Sequence, residues 1–345
     1  MTASTTTTPL ETLREHLQTA IEIEWSTIPP YLCALWSLAD GPNEYVAGNV
    51  EEVAMEEMLH LTLACNLLNA IGGRPRLVPD PLTQLPQPPS YPTYLPHSDD
   101  AFLVNLLPFS SEALETFCLI ERPAAPGAPP EPGRYRTIAQ FYAAVRELLD
   151  ELGPDIFTGP PERQVDQRYY YGSGGEATAI HDRPSADGAL EVIVDQGEGI
   201  PGESIWDADE NVFGEGGELA HYFVFDELYR GRRYTKDDTP SSGPTGDPIL
   251  LDYGSVLPMR PNPKAEDYAE GTELRELTET CNATYSRMLV ELDAAFNGEP
   301  SRLVVAVQTM LQLRGESLAL MRIPLGDGSG LNAGPAFQWR APTAT

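Results

Sequence analysis

The chain has 345 residues, and its 52 acidic against 22 basic side chains give a formal net charge of -30. Such acidity excludes nucleic acid and anionic membrane surfaces as partners, because their phosphates would be repelled. No apolar run is long enough to span a bilayer, and the 33 Pro and 29 Gly imply long irregular stretches between helices.

The Thr-rich N-terminus has no basic-then-apolar leader, and Cys33, Cys65, Cys118 and Cys281 stand singly, as small buried hydrophobes do in a reducing compartment. The expected location is the cytoplasm. A first helix is predicted from Pro9 to Leu38. Its apolar stripe runs Leu10, Leu13, Leu17, Ala20 or Ile21, then Ile28, Tyr31 and Leu35. Glu24 fills the middle of that stripe, and Glu22 lies off it. Pro29 and Pro30 remove two amide donors and are expected to kink or break the helix beyond Glu24.

A second helix is predicted from Tyr45 to Ile71, stopped by Gly72 and Gly73. One of its faces carries Val53, Ala54, Glu57, His60, Leu61, Ala64 and Leu68. The Pro-rich loop over residues 74–108 is too long for a simple bundle connection. The third helix, Ser110 to Arg122, opens on good N-cap residues and presents Leu114, Phe117, Cys118 and Glu121 before Pro123 stops it. Glu115 points elsewhere.

Residues 123–213 interrupt the bundle pattern with an inserted segment holding two predicted helices, Thr137 to Leu152 and Ser185 to Gln196. It leaves the bundle directly after Glu121 and returns just before Glu218, so it must cover one mouth of the space between the helices. A fourth helix follows from Gly217 to Arg230, with His221, Tyr222, Phe225 and Leu228 in phase. Two amphipathic helices, Thr272 to Phe296 and Ser301 to Met321, then form a C-terminal extension over residues 233–345 that is expected to pack on the bundle. Their apolar faces suit either the core or contact with a second copy, which leaves a homo-oligomer open.

The chemistry lies in two Glu-x-x-His steps, Glu57 to His60 and Glu218 to His221. Residues three apart lie one above the other on a helix, so each step aims a carboxylate and an imidazole into one space. With Glu24 and Glu121 from the two other helices, the set matches a four-helix bundle holding two metal ions. Carboxylates on apolar stripes that contain no Arg need cations to offset their burial. Oxygen-rich donors with two imidazoles and no thiolate suit two iron ions, with manganese or a mixed iron and manganese pair as alternatives. Such a pair implies dioxygen and a small organic substrate as reaction partners.

Four further residues are candidates for substrate contact or for support of the ligands. Glu198, between two glycines, is either a hydrogen-bond acceptor for a ligand or substrate, or a solvated turn residue. His181 is a loop imidazole in the same insertion. Tyr31 and Tyr222 lie beside the ligand stripes. Tyr169, Tyr170 and Tyr171, before a Gly-rich turn, suit stacking on an aromatic molecule or surface packing.

The stretches Glu22 to Leu32 (EIEWSTIPPYL), Glu56 to Leu68 (EEMLHLTLACNLL), Phe117 to Pro123 (FCLIERP), Asp195 to Gly199 (DQGEG) and Gly217 to Leu228 (GELAHYFVFDEL) resemble the ferritin-like domain of the iminophenyl-pyruvate dimer synthase family. That resemblance implies a mostly α, ferritin-like four-helix bundle over residues 1–122 and 214–232. It also implies a non-haem metal site at Glu24, Glu57, His60, Glu121, Glu218 and His221. The pigment enzymes of the family are much larger, and this chain corresponds to their ferritin-like portion with extensions. The expected function is a dinuclear iron oxidase or oxygenase acting on an amino-acid-derived or aromatic metabolite of secondary metabolism. The alternatives are an iron-handling protein, either ferroxidase or storage, and a non-catalytic metal-binding scaffold.

Overall fold

Side-chain caps decide where several helices begin. In the computed structural model, which describes residues 7–38, 41–80, 82–99, 102–172, 174–199, 204–207 and 217–341, Thr8 and Glu11 form a reciprocal capping box ahead of α1 (Pro9–Ser37). Ser110 accepts from the Ala113 amide at the start of α3 (Ser111–Ile120), and Thr137 accepts from Gln140 at the start of α4 (Ile138–Leu152). Asp182 caps α5 (Arg183–Glu198), and Thr272 caps α7 (Glu273–Phe296). Each cap satisfies an amide that the first helical turn leaves unpaired. The remaining helices are α2 (Glu44–Ala70), α6 (His221–Arg230) and α8 (Arg302–Met321). Among the described residues there is no β-sheet, only isolated bridges such as Leu38 with Val256.

The break expected at Pro29 and Pro30 does not occur. Helix α1 runs through both prolines to Ser37. The missing amide of Pro30 would leave the Ser26 carbonyl unpaired, and the Tyr91 hydroxyl donates to it at 2.8 Å. An outside donor thus replaces the bond that the helix cannot make.

The long helices α1 and α2 pack side by side as a hairpin, while α3 pairs with α6 and α7 with α8. The α3–α6 pair is antiparallel. Phe117 meets Phe225 with ring centroids 5.0 Å apart, and at the other end Glu121 meets His221. Helices α4 and α5 of the inserted segment pack against each other and against α1 and α2, joining one continuous core that includes Leu13, Ile21, Leu63, Phe141, Leu190 and Phe225. The expected boundary of that segment at residues 213 and 214 lies outside the described residues. Among the described residues no helix is long and apolar enough to cross a membrane.

The fourth helix differs from its expected start. Residues 217–220 are not helical: Leu219 bridges Trp206, and the Ala220 amide donates to the Ile205 carbonyl at 3.1 Å. Helix α6 begins only at His221, after the extended N-cap Ala220.

Candidate metal centre

Helical phase brings Glu24 from α1 and Glu57 and His60 from α2 into one buried space. Glu121, the C-cap of α3, and His221, the first residue of α6, complete the cluster from the antiparallel pair. All five side chains are at most 5% exposed.

The cluster has two similar halves that share Glu57. In one half, His60 Nδ1 lies 3.4 Å from Glu57 Oε1 and 3.9 Å from Glu24 Oε2. In the other, His221 Nδ1 lies 3.1 Å from the same Glu57 oxygen and 3.7 Å from Glu121 Oε2. The imidazoles stack with centroids 5.3 Å apart. Ligand atoms of Glu57, His60 and His221 all lie within 4.8 Å of one another.

Each half is supported in a parallel way. His60 Nε2–H donates to Gln196 Oε1 at 2.8 Å, and His221 Nε2–H donates to Glu56 Oε2 at 2.9 Å. Those bonds turn both Nδ1 atoms toward the shared carboxylate. Two tyrosines hold the outer carboxylates: Tyr142 donates to Glu24 and Tyr31 to Glu121. Thr27 donates to the second oxygen of Glu57.

Burial raises the Glu24 and Glu121 carboxyls above their ordinary range, and the neighbouring Glu57 charge adds to the rise. For Glu57 burial also pushes upward, but the two imidazoles beside it, His221 and His60, outweigh it and the net shift is downward. His221 is held well above the usual imidazole value, because Glu121, Glu56 and Glu57 overcome the effect of its burial.

The residues fit bound metal on two grounds. His221 Nδ1 is fully buried and has no hydrogen-bond partner although it faces the carboxylates, a group that a metal ion would satisfy. In addition, the ion pairs of these carboxylates among the described residues involve only His60 and His221, with no Lys or Arg. Glu24, Glu56, Glu57 and Glu121, four buried acids, are costly without a fixed cation.

One expected ligand is not among these five. Glu218 lies on the extended segment before α6, grouped with Glu56 and Asp207. Its Glu-x-x-His step is not a helical turn, so the three-residue spacing no longer stacks Glu218 on His221. Among the secondary candidates, Tyr31 touches the cluster through Glu121. Tyr222 packs instead with Ile205, Ala220, Phe223 and Tyr234. The side chain of His181 is 74% exposed and lies 3.8 Å from Asp182. Glu198 is neither solvated nor bonded to a histidine: it accepts from the amides of Ala124 at 2.7 Å and Ala139 at 2.9 Å. It still lines a small cavity of about 20 Å³ beside Glu24, Glu57, His60 and Glu121, walled by Ile138, Ala139, Ile193 and Val194.

Sequence reasoning missed Glu56, Gln196, Thr27 and Tyr142. Glu56 had a usable signal, since it precedes His60 by four residues and so shares a helix face with it. Gln196 and Tyr142 come from the inserted segment, where no spacing relates them to the bundle.

A family model described as ferritin-like matches residues 17–230. The chain is 26% identical to dichlorochromopyrrolate synthase of Lentzea aerocolonigenes over 85% of its own length and 30% of that protein. It is also 26% identical to 2-imino-3-(indol-3-yl)propanoate dimerase of Chromobacterium violaceum, over 82% of its own length and 27% of that protein. The chain thus spans less than a third of the length of these curated relatives. The crystal structure of a ferritin-like protein from Caulobacter vibrioides superposes with a TM-score of 0.62 at 22% identity, covering 95% of this chain and 98% of that one.

Proposed function

We propose, from the premise that the chain belongs to the ferritin-like family, that it is a dinuclear iron oxidase or oxygenase acting on a small aromatic or amino-acid-derived molecule. The observation that carries this reading is the paired geometry: two Nδ1 atoms at 3.4 and 3.1 Å from one oxygen of Glu57, each flanked by an outer carboxylate. Glu24, Glu57, His60, Glu121 and His221 would hold the two ions. Manganese could replace one or both irons, since the donor set suits either metal. A bound iron pair supplies the electrons with which dioxygen is reduced.

The protein's own groups then have defined tasks. Gln196 and Glu56 hold the imidazole protons away from the ions, and Tyr142 and Tyr31 orient the outer carboxylates. Helices α4 and α5 exclude water, because Ile138, Ala139, Ile193 and Val194 wall the adjacent cavity. At about 20 Å³ that cavity holds a water-sized molecule and no aromatic ring, so an organic substrate requires α4 or α5 to shift. The two relatives are named as a synthase of dichlorochromopyrrolate and a dimerase of an indolyl imino acid, and both names support an aromatic substrate.

Metal analysis of protein prepared with iron tests the assignment. Glu121→Ala is expected to lower bound iron, whereas Glu115→Ala on the exposed face of α3 is expected to leave it unchanged. Equal iron in both variants rejects the ligand set. Substrate-dependent dioxygen uptake supports the oxidase, while particle-sized iron loading without it assigns the protein to iron handling.

A further inference from the structure

On the other face of the α1–α2 hairpin lies a cavity of about 140 Å³ that the metal chemistry does not use. We propose that it is a binding site for a small uncharged aromatic molecule, a single six-membered ring with short apolar substituents. Helices α1 and α2 form one side of it and α7 and α8 the other. Its volume is close to the ~150 Å³ of an apolar protein cavity that stays dry and takes up benzene.

The wall specifies the ligand. Trp25, Tyr285, Phe296 and Phe337 supply aromatic faces and edges, and Met58 and Met288 supply polarisable sulfur. Ring edges and thioethers both favour an aromatic guest over an aliphatic one. The polar groups of the wall are already engaged with the protein. Trp25 Nε1 donates to the Tyr285 hydroxyl at 2.9 Å, Thr62 donates to the Met58 carbonyl at 2.9 Å, and Tyr170 donates to the Met55 carbonyl at 3.4 Å. Water entering the cavity would exchange good hydrogen bonds for none, and a charged guest would find no counterion. Tyr170 and Tyr171, two members of the tyrosine run singled out in the sequence, stand at this cavity rather than at the metal centre.

The experiment titrates toluene into the full chain and follows tryptophan fluorescence and the thermal midpoint. Saturable one-to-one binding with a raised midpoint is expected. Benzoate, the same ring carrying a carboxylate, is expected to bind at least about tenfold more weakly, since its charge would be buried unpaired. Ala306→Leu, at a buried wall position on α8, and Met310→Phe nearer solvent should each fill the cavity and abolish toluene binding while circular dichroism stays unchanged. The proposal is overturned if toluene does not saturate, if both filled variants bind it as the parent does, or if benzoate binds equally well. It is also overturned if sedimentation shows self-association that Val307→Glu removes and toluene binds only to that variant, because a second copy would then occupy the face.

Discussion

Glu198→Gln separates two opposing contributions that meet at the junction of the inserted segment with the bundle. The Glu198 carboxyl is 4% exposed and accepts two backbone amides. Burial is the larger influence and lifts its pKa from 4.5 to about 7, although both amide bonds and nearby Arg122 pull it down. The direction of the consequence follows from proton counting. Between these two values the native protein holds a proton that the unfolded chain has released, so stability falls as pH rises from 4.5 to about 7. At ~1.4 kcal/mol per pKa unit, the accumulated loss at alkaline pH is of the order of 3 kcal/mol. Gln copies the neutral carboxyl in shape and cannot titrate. Gln keeps only one of the two amide acceptors, so in metal-free protein the variant should be less stable than the parent near pH 4.5 and gain on it by roughly 2–3 kcal/mol between there and pH 8. Urea unfolding of both proteins across this range measures the difference. A variant that is less stable by the same amount at every pH would refute the reasoning, because the lost amide acceptor would then outweigh desolvation.

Three further outcomes are expected. Gln196→Leu removes the acceptor for His60 Nε2–H and should weaken iron binding by about 10–100-fold, read by competition with a chelator, while helix content is retained. Tyr91→Phe leaves the Ser26 carbonyl beside Pro30 without its donor and should cost about 1–3 kcal/mol in urea unfolding; an unchanged midpoint would show that α1 tolerates the prolines without help. Asn66→Ala severs bonds from α2 to the inserted segment, at Val165 N and O and at Thr178 O. A loss of about 2–4 kcal/mol is expected, together with faster amide hydrogen exchange in residues 164–180 than in α7.

The legible part of the site was the part carried by continuous helices. Glu24, Glu57 and His60 were picked out because a 3.6-residue period fixes which side chains share a face, and α1 and α2 keep that period throughout. Glu121 and His221 followed from the antiparallel argument at the ends of α3 and α6. Glu218 is not among those five side chains, since its segment is extended and bridges Trp206, so helical spacing did not apply. The unbroken course of α1 was equally illegible, because the donor that replaces the Pro30 amide is Tyr91, 65 residues away from Ser26.

Sequence alone determined which helices exist and which acids and imidazoles share helix faces, because those properties depend on neighbours within a few positions. Only the tertiary structure decided that Gln196 and Glu56 hold the two imidazoles, that Tyr142 from the inserted segment supports Glu24, and that Glu198 ties the amides of Ala124 and Ala139 together. These partners lie far apart along the chain. What joins them is the need of buried polar atoms for hydrogen bonds, a requirement met in space without regard to sequence order.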